Sequence, residues 1–243
     1  MTVLAVVLVF LRVVGLTTTA PVLATPGLEP RFRLLLAAAI SAVVAPIVGP
    51  AIRLPIHLNE IAIACLGELL IGAALGWSAG LIIAGARQAG EIVGAQAGLS
   101  AAALFDPEAG DELTPLGHLY GLIALGVFLS LDGPLMLVRS LVESYEAMPV
   151  GDFGLSRESA ELAFGRVARS LWLAIRAAAP PAIALTLAGV SLGLIGRAAP
   201  ALPLATMTLP IRFLLGLVLA ILGATALAGT LASVWQAWPS FGS

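Results

Sequence analysis

The stretch "FLSLDGPLMLV", residues 128–138, sets an aspartate, a glycine and a proline between two apolar blocks. Asp132 is a favourable N-cap and Pro134 suits the first turn of a following helix, so the chain is expected to break here instead of running straight through. The helix before the break is short. From Leu116 to Leu131 it covers about 24 Å at 1.5 Å per residue, against a hydrocarbon core of about 30 Å. A charged Asp132 at mid-membrane costs roughly 2.5–3.5 kcal/mol on insertion scales, which the surrounding leucines can offset. Plain spanning is therefore allowed, but a broken helical hairpin accounts for the proline as well. Pro180 and Pro181 imply a similar kink or break further on.

The rest of the chain explains why membrane arithmetic applies. Of 243 residues, 60% are hydrophobic and only 11% charged, and the mean hydropathy is +1.06, outside the range of soluble domains. Apolar runs recur at Thr2–Arg12, Leu34–Val44, Ile61–Ile83, Leu116–Leu131, Ala177–Ile195 and Phe213–Val234. They come as continuous blocks without two-residue alternation, so helices are expected and barrel strands are not. The first run has no positive region before it and no clear small-x-small cleavage site, which reads as a retained segment. No soluble domain, linker or internal repeat interrupts residues 1–243, and a single membrane-embedded domain is the simplest organisation. With six nominal spans, five arginines fall on one side and four on the other, so charge leaves the orientation open.

Charge excludes several classes of function. A net charge of −2 with scattered arginines gives no nucleic-acid footprint. There is no lysine, hence no phosphate-loop lysine and no Schiff base. Cys65 is the only cysteine, so no internal disulfide can form. The pattern "GWSAG", residues 76–80, matches a serine nucleophile motif, yet neither a strand-to-helix turn nor a placed base is signalled. His57 and His118 lack ligand spacing, and neither a catalytic site, nor a metal site, nor a cofactor is expected.

What remains is packing, buried charge and one acidic connection. Gly72, Gly76 and Gly80 repeat every four residues, as do Gly90, Gly94 and Gly98. Such ridges let a second helix approach the bare backbone, whether from this chain or a neighbour. Glu68 sits in "ACLGELLIGAALG" and needs an arginine, a hydrated cavity or a proton. Arg139 and Arg176 are the candidate partners, and Asp132 is a further charge among apolar residues. After Gly98, "LSAAALFDPEAGDELTP" should end helical structure at Asp106 and Pro107. It is either a solvated connection or a plug across a path, with Leu104 and Phe105 as its apolar contact. From Glu143 to Ser170 the chain is more polar, and Ala160, Ala163, Phe164, Val167 and Leu171 share a face of an amphipathic helix. Trp235 and Trp238 read as rings at the headgroup boundary.

Four blocks in order, "GLTTTAPVLATPGLEPRFR" (15–33), "AGEIVGAQAGLSAAALFDP" (89–107), "FLSLDGPLMLVRSLVESYEAMPVG" (128–151) and "LGLIGRAAP" (192–200), make the chain resemble the FliR family of flagellar export proteins and their injectisome relatives, SctT. The resemblance covers nearly the whole chain. It implies a non-enzymatic export-gate subunit in the bacterial inner membrane, at the flagellar basal body. Broken hairpins would pack there with homologues of FliP, FliQ and FlhB around a closed passage for unfolded substrates. It also implies a plug following "GLS", here Ser100 to Pro107: Ser100, Ala101, Leu104, Phe105, Asp106 and Pro107. Ala101 and Leu104 stand where the family usually has phenylalanine, so an aromatic seal would fall to Phe105. Pro134 replaces a histidine, and "APALP", residues 199–203, lacks the usual glutamine. The rival reading from residues alone is a secondary transporter with Glu68 as its proton or ion site.

Overall fold

The computed structural model describes residues 3–23, 29–48, 58–97, 114–151 and 204–236, with single residues and short pieces between 161 and 197. Their regular structure is helical: α1 (Val3–Thr19), α2 (Pro30–Val48), α3 (Leu58–Gln96), α4 (Pro115–Ser130), α5 (Gly133–Ala147) and α6 (Leu204–Gln236). The chain is an all-α membrane protein, as its unalternating apolar blocks require. Among the described residues three helices are long and apolar enough to cross a bilayer, and a fourth span exists if α4 and α5 count together. That is fewer than six apolar runs suggest. α1 has 17 residues and α4 has 16, too few to cross alone. The run Ala177–Ile195 is described only in pieces, with Pro180 helical and Pro181 outside the described residues. α3 is different: its 39 residues measure about 58 Å, nearly twice the core thickness, so part of it stands outside the hydrocarbon at any ordinary tilt.

The break after Leu131 is present, and its device differs from the expected one. α4 ends at Ser130 and α5 starts at Gly133. Asp132 occupies the N-cap position, but its side chain makes no capping bond. Its backbone instead turns left-handed, φ 55°, which aspartate tolerates better than most residues. Its carbonyl accepts the Met136 N–H at 3.0 Å. Pro134, lacking an N–H, adds no unmet donor of its own to the first turn.

The chain divides into two compact units, one of residues 1–81, 132–170 and 237–243, the other of 82–131 and 171–236. In the first, α1 buries Ala5, Leu8, Val9, Arg12, Val13 and Leu16, an i, i+3, i+4, i+7 face that holds one charge. α2 packs against α1 and buries mainly small residues, Ala37, Ser41, Val44, Ala45 and Val48. In the second, α4 packs against α6, burying Tyr120, Ala124 and Phe128 from one helix and Leu227, Leu231 and Trp235 from the other. Trp235 is therefore a core residue and not a boundary ring. It is 1% exposed, and its ring centroid lies 4.7 Å from that of Phe128, tilted by 53°, within the range where aromatic pairs attract. Trp238, and the face Ala160, Ala163, Phe164, Val167 and Leu171, lie outside the described residues.

Candidate functional site

A charge cannot sit alone in an apolar medium, so the partner of Glu68 decides what that residue can do. The partner is Arg12 of α1. Glu68 is 3% exposed and Arg12 fully buried. The Arg12 Nε donates to Glu68 Oε2 at 2.5 Å, Nη1 donates to Ser144 Oγ at 3.0 Å, and Nη2 donates to the Met148 carbonyl at 3.0 Å. Ser144 is free to accept because its own proton goes to the Leu141 carbonyl, 2.6 Å away. The guanidinium also lies 4.1 Å from the centroid of the Tyr145 ring, on whose face a cation is attracted. The other carboxylate oxygen of Glu68 accepts the Gly151 N–H at 3.1 Å. Gly151 has φ 82°, a conformation that only glycine adopts without penalty. One ion pair thus joins α1, α3, the end of α5 and the turn after it.

Arg139 and Arg176 are not the partners of Glu68, which corrects the expectation from sequence. Arg139 and Asp132 are exposed on this chain, and Arg176 is exposed with its guanidinium 5.1 Å from the Trp172 ring. None of the three is a buried charge. Arg12 was missed because it ends the first apolar run and lies 56 residues from Glu68. The available signal was symmetry of need: one cation and one anion, each isolated among apolar residues.

The glycines create the close approach that this pairing requires. A Cβ on Gly72 would stand 1.8 Å from the Arg12 carbonyl oxygen, and one on Gly76 2.7 Å from the Leu16 carbonyl oxygen. Gly15 reciprocates from α1, where a Cβ would come 2.2 Å from the Leu69 carbonyl oxygen. Gly80 is different, since a Cβ there meets only the Thr19 carbonyl oxygen at 3.7 Å. The contact is stitched by Thr19, whose hydroxyl donates to the Ala73 carbonyl at 2.9 Å. Such small-residue contacts with interhelical hydrogen bonds replace the hydrophobic drive that lipid does not supply.

The second unit repeats the device with other residues. A Cβ on Gly90 would lie 2.4 Å from the Leu116 carbonyl oxygen, and one on Gly94 2.5 Å from Thr114 Oγ1. Gly117 and Gly121 of α4, four residues apart and not singled out from sequence, receive the side chains of Glu91 and Arg87. Both ridges of α3 therefore meet helices of this same chain at Gly72, Gly76, Gly90 and Gly94. Gly98 and the segment Ser100, Ala101, Leu104, Phe105, Asp106 and Pro107 lie outside the described residues.

The "GWSAG" pattern lies within a continuous helix. Ser78 of the "GWSAG" pattern is inside α3 and 1% exposed. Its hydroxyl donates to the Leu75 carbonyl at 2.8 Å, so it sits on no strained turn. The transporter reading lacks support, because both Glu68 oxygens are already engaged by protein donors.

Comparison with known proteins fits a subunit built for packing. Residues 3–238 match the family described as bacterial export proteins, family 1. The flagellar biosynthetic protein FliR of Escherichia coli K12 is 33% identical over 208 residues, 85% of this chain and 79% of that protein. FliR of Caulobacter vibrioides is 28% identical over 91% of this chain and 88% of its own length. The Yop proteins translocation protein T of Yersinia pestis is 31% identical over 60% of this chain and 56% of its own length. With the match running almost from end to end, and with an all-helical, glycine-packed architecture beneath it, the chain belongs to the FliR/SctT family of bacterial export proteins.

Proposed function

We propose that this chain is a structural, non-enzymatic subunit of the flagellar type III export gate. It acts in the bacterial inner membrane at the basal body. Its partners there are homologues of FliP, FliQ and FlhB, and together they enclose the passage taken by unfolded export substrates. Membership of the export family along nearly the whole chain carries this reading. The helices agree with it physically. α3 exceeds the bilayer in length, and it keeps Ile63, Leu66, Leu70 and Trp77 exposed at spacings of three, four and seven, a stripe suited to another helix. Residues 1–243 act as one functional domain in this reading.

Within the gate, Ser100 to Pro107 close the passage at rest, with Leu104 and Phe105 as the apolar contact. Deleting residues 100–107 should leave the complex assembled and make cells permeable to small solutes, measured by dye entry. An assembled complex with unchanged permeability would contradict the closing role.

A further inference from the structure

The Arg12–Glu68 pair is parted on one side by a turn. A guanidinium and a carboxylate lying edge to edge commonly share two parallel bonds, which here would be Nε to Oε2 and Nη2 to Oε1. The first is made, at 2.5 Å. In place of the second, Nη2 donates to the Met148 carbonyl at 3.0 Å and Oε1 accepts the Gly151 N–H at 3.1 Å. Met148 and Gly151 are three residues apart, the separation at which a carbonyl and an N–H close a β-turn on each other, and Pro149 and Gly151 stand where such a turn favours proline and glycine. Withdrawing the turn therefore breaks two bonds and permits two others: Nη2 to Oε1, and the Met148 carbonyl to the Gly151 N–H. None of the four groups is left unmet in either arrangement, which removes the main cost of parting buried polar groups. The guanidinium keeps its bond from Nη1 to Ser144 and its place over the Tyr145 ring in both. Two features belong to the docked arrangement: Val150 is fully buried, and Gly151 has φ 82°, whereas a closed β-turn sets no φ for its last residue.

We propose that Arg12 and Glu68 form a latch for the turn at residues 148–151, which docks by bonding its carbonyl to the cation and its N–H to the anion, and releases by bonding the two to each other while the ion pair closes into its two-bond form. The chain beyond α5 can then leave α1 and α3 and return without either buried charge losing its partner. The latch needs no other subunit, and it stands or falls apart from the export reading.

A thiol at position 150 reports the docked turn. In native membrane vesicles, with Cys65→Ser removing the other thiol, the Val150→Cys chain should react slowly with N-ethylmaleimide. Its rate should hardly change in sub-denaturing urea, because release exposes one turn and not the core. Gly151→Ala penalises the left-handed backbone of the docked form alone and should speed the reaction about tenfold. Asparagine adopts that backbone more readily than alanine although it is larger, so Gly151→Asn should give an intermediate rate, an order that crowding would reverse. Should the alanine variant fail to accumulate, the urea dependence of the Val150→Cys chain still decides. A rate that climbs steeply with urea, showing reaction only from unfolded protein, overturns the latch. So does an unchanged rate in Gly151→Ala, a faster rate in Gly151→Asn than in Gly151→Ala, or a thiol that reacts in none of the three.

Discussion

Replacing Arg12 with leucine is expected to cost about 3–5 kcal/mol, because it leaves Glu68 buried with its counter-charge gone. It removes three donated hydrogen bonds at once, to Glu68, Ser144 and the Met148 carbonyl. A loss of that size is a large share of the stability of an ordinary domain, so little Arg12→Leu protein should survive in membranes. Glu68→Gln should be milder, since Arg12 keeps its bonds to Ser144 and the Met148 carbonyl and its place over the Tyr145 ring, and an amide oxygen can still accept from Gly151 or Arg12. The informative variant is the double one, Arg12→Met with Glu68→Leu. Apolar residues of similar volume commonly replace a buried ion pair at little cost, so this pair should recover much of the level lost in Arg12→Leu. Membrane abundance and thermal midpoint in detergent measure both effects. Arg12→Leu protein as abundant and stable as the native chain would show that the pair does not hold α1, α3 and α5 together.

The second large effect is at Gly72. Gly72→Ala puts a methyl group against the backbone of α1, 1.8 Å from the Arg12 carbonyl oxygen and 2.9 Å from the Leu16 nitrogen. A flexible side chain could swing aside, but backbone cannot, so α1 must back away from α3 and draw Arg12 off Glu68. Overpacking costs typically about 1–3 kcal/mol, and the expectation here is the upper end because the displaced atoms carry the ion pair. Gly80→Ala is the internal control from the same ridge, where the added methyl meets one oxygen at 3.7 Å, an ordinary contact. Melting of the two variants should separate them clearly, with Gly80→Ala close to native. Equal stability of Gly72→Ala and Gly80→Ala would refute the close approach.

These two sites mark what a one-dimensional reading can reach. Glycine at every fourth position identifies one helical face regardless of tertiary structure, so Gly72, Gly76, Gly90 and Gly94 stand out before any partner is known. Which helix approaches them does not follow from spacing. The break at Asp132 is similarly local, since an Asp-Gly-Pro row can hardly continue a helix, although the left-handed turn is a detail of φ that composition does not encode. Arg12 and Glu68 fail the local test. Each looks like an isolated charge, and only the packing of α1 on α3 brings them within bonding distance. Trp235 misleads for a related reason: a tryptophan ending an apolar run has the same sequence signature at a headgroup boundary as against Phe128 in a core. Gly117 and Gly121 are hard to see because their neighbours are the side chains of Glu91 and Arg87, on another helix.

Every one of these contacts holds the chain's own helices together. The proposed function makes the chain one subunit of a larger gate, and mass spectrometry of what co-purifies with it from native membranes in mild detergent tests that most directly. The expected result is a single particle containing FliP, FliQ and FlhB homologues. A chain that purifies alone, stays folded, and takes up solute in pure lipid with uptake abolished by Glu68→Gln would contradict it.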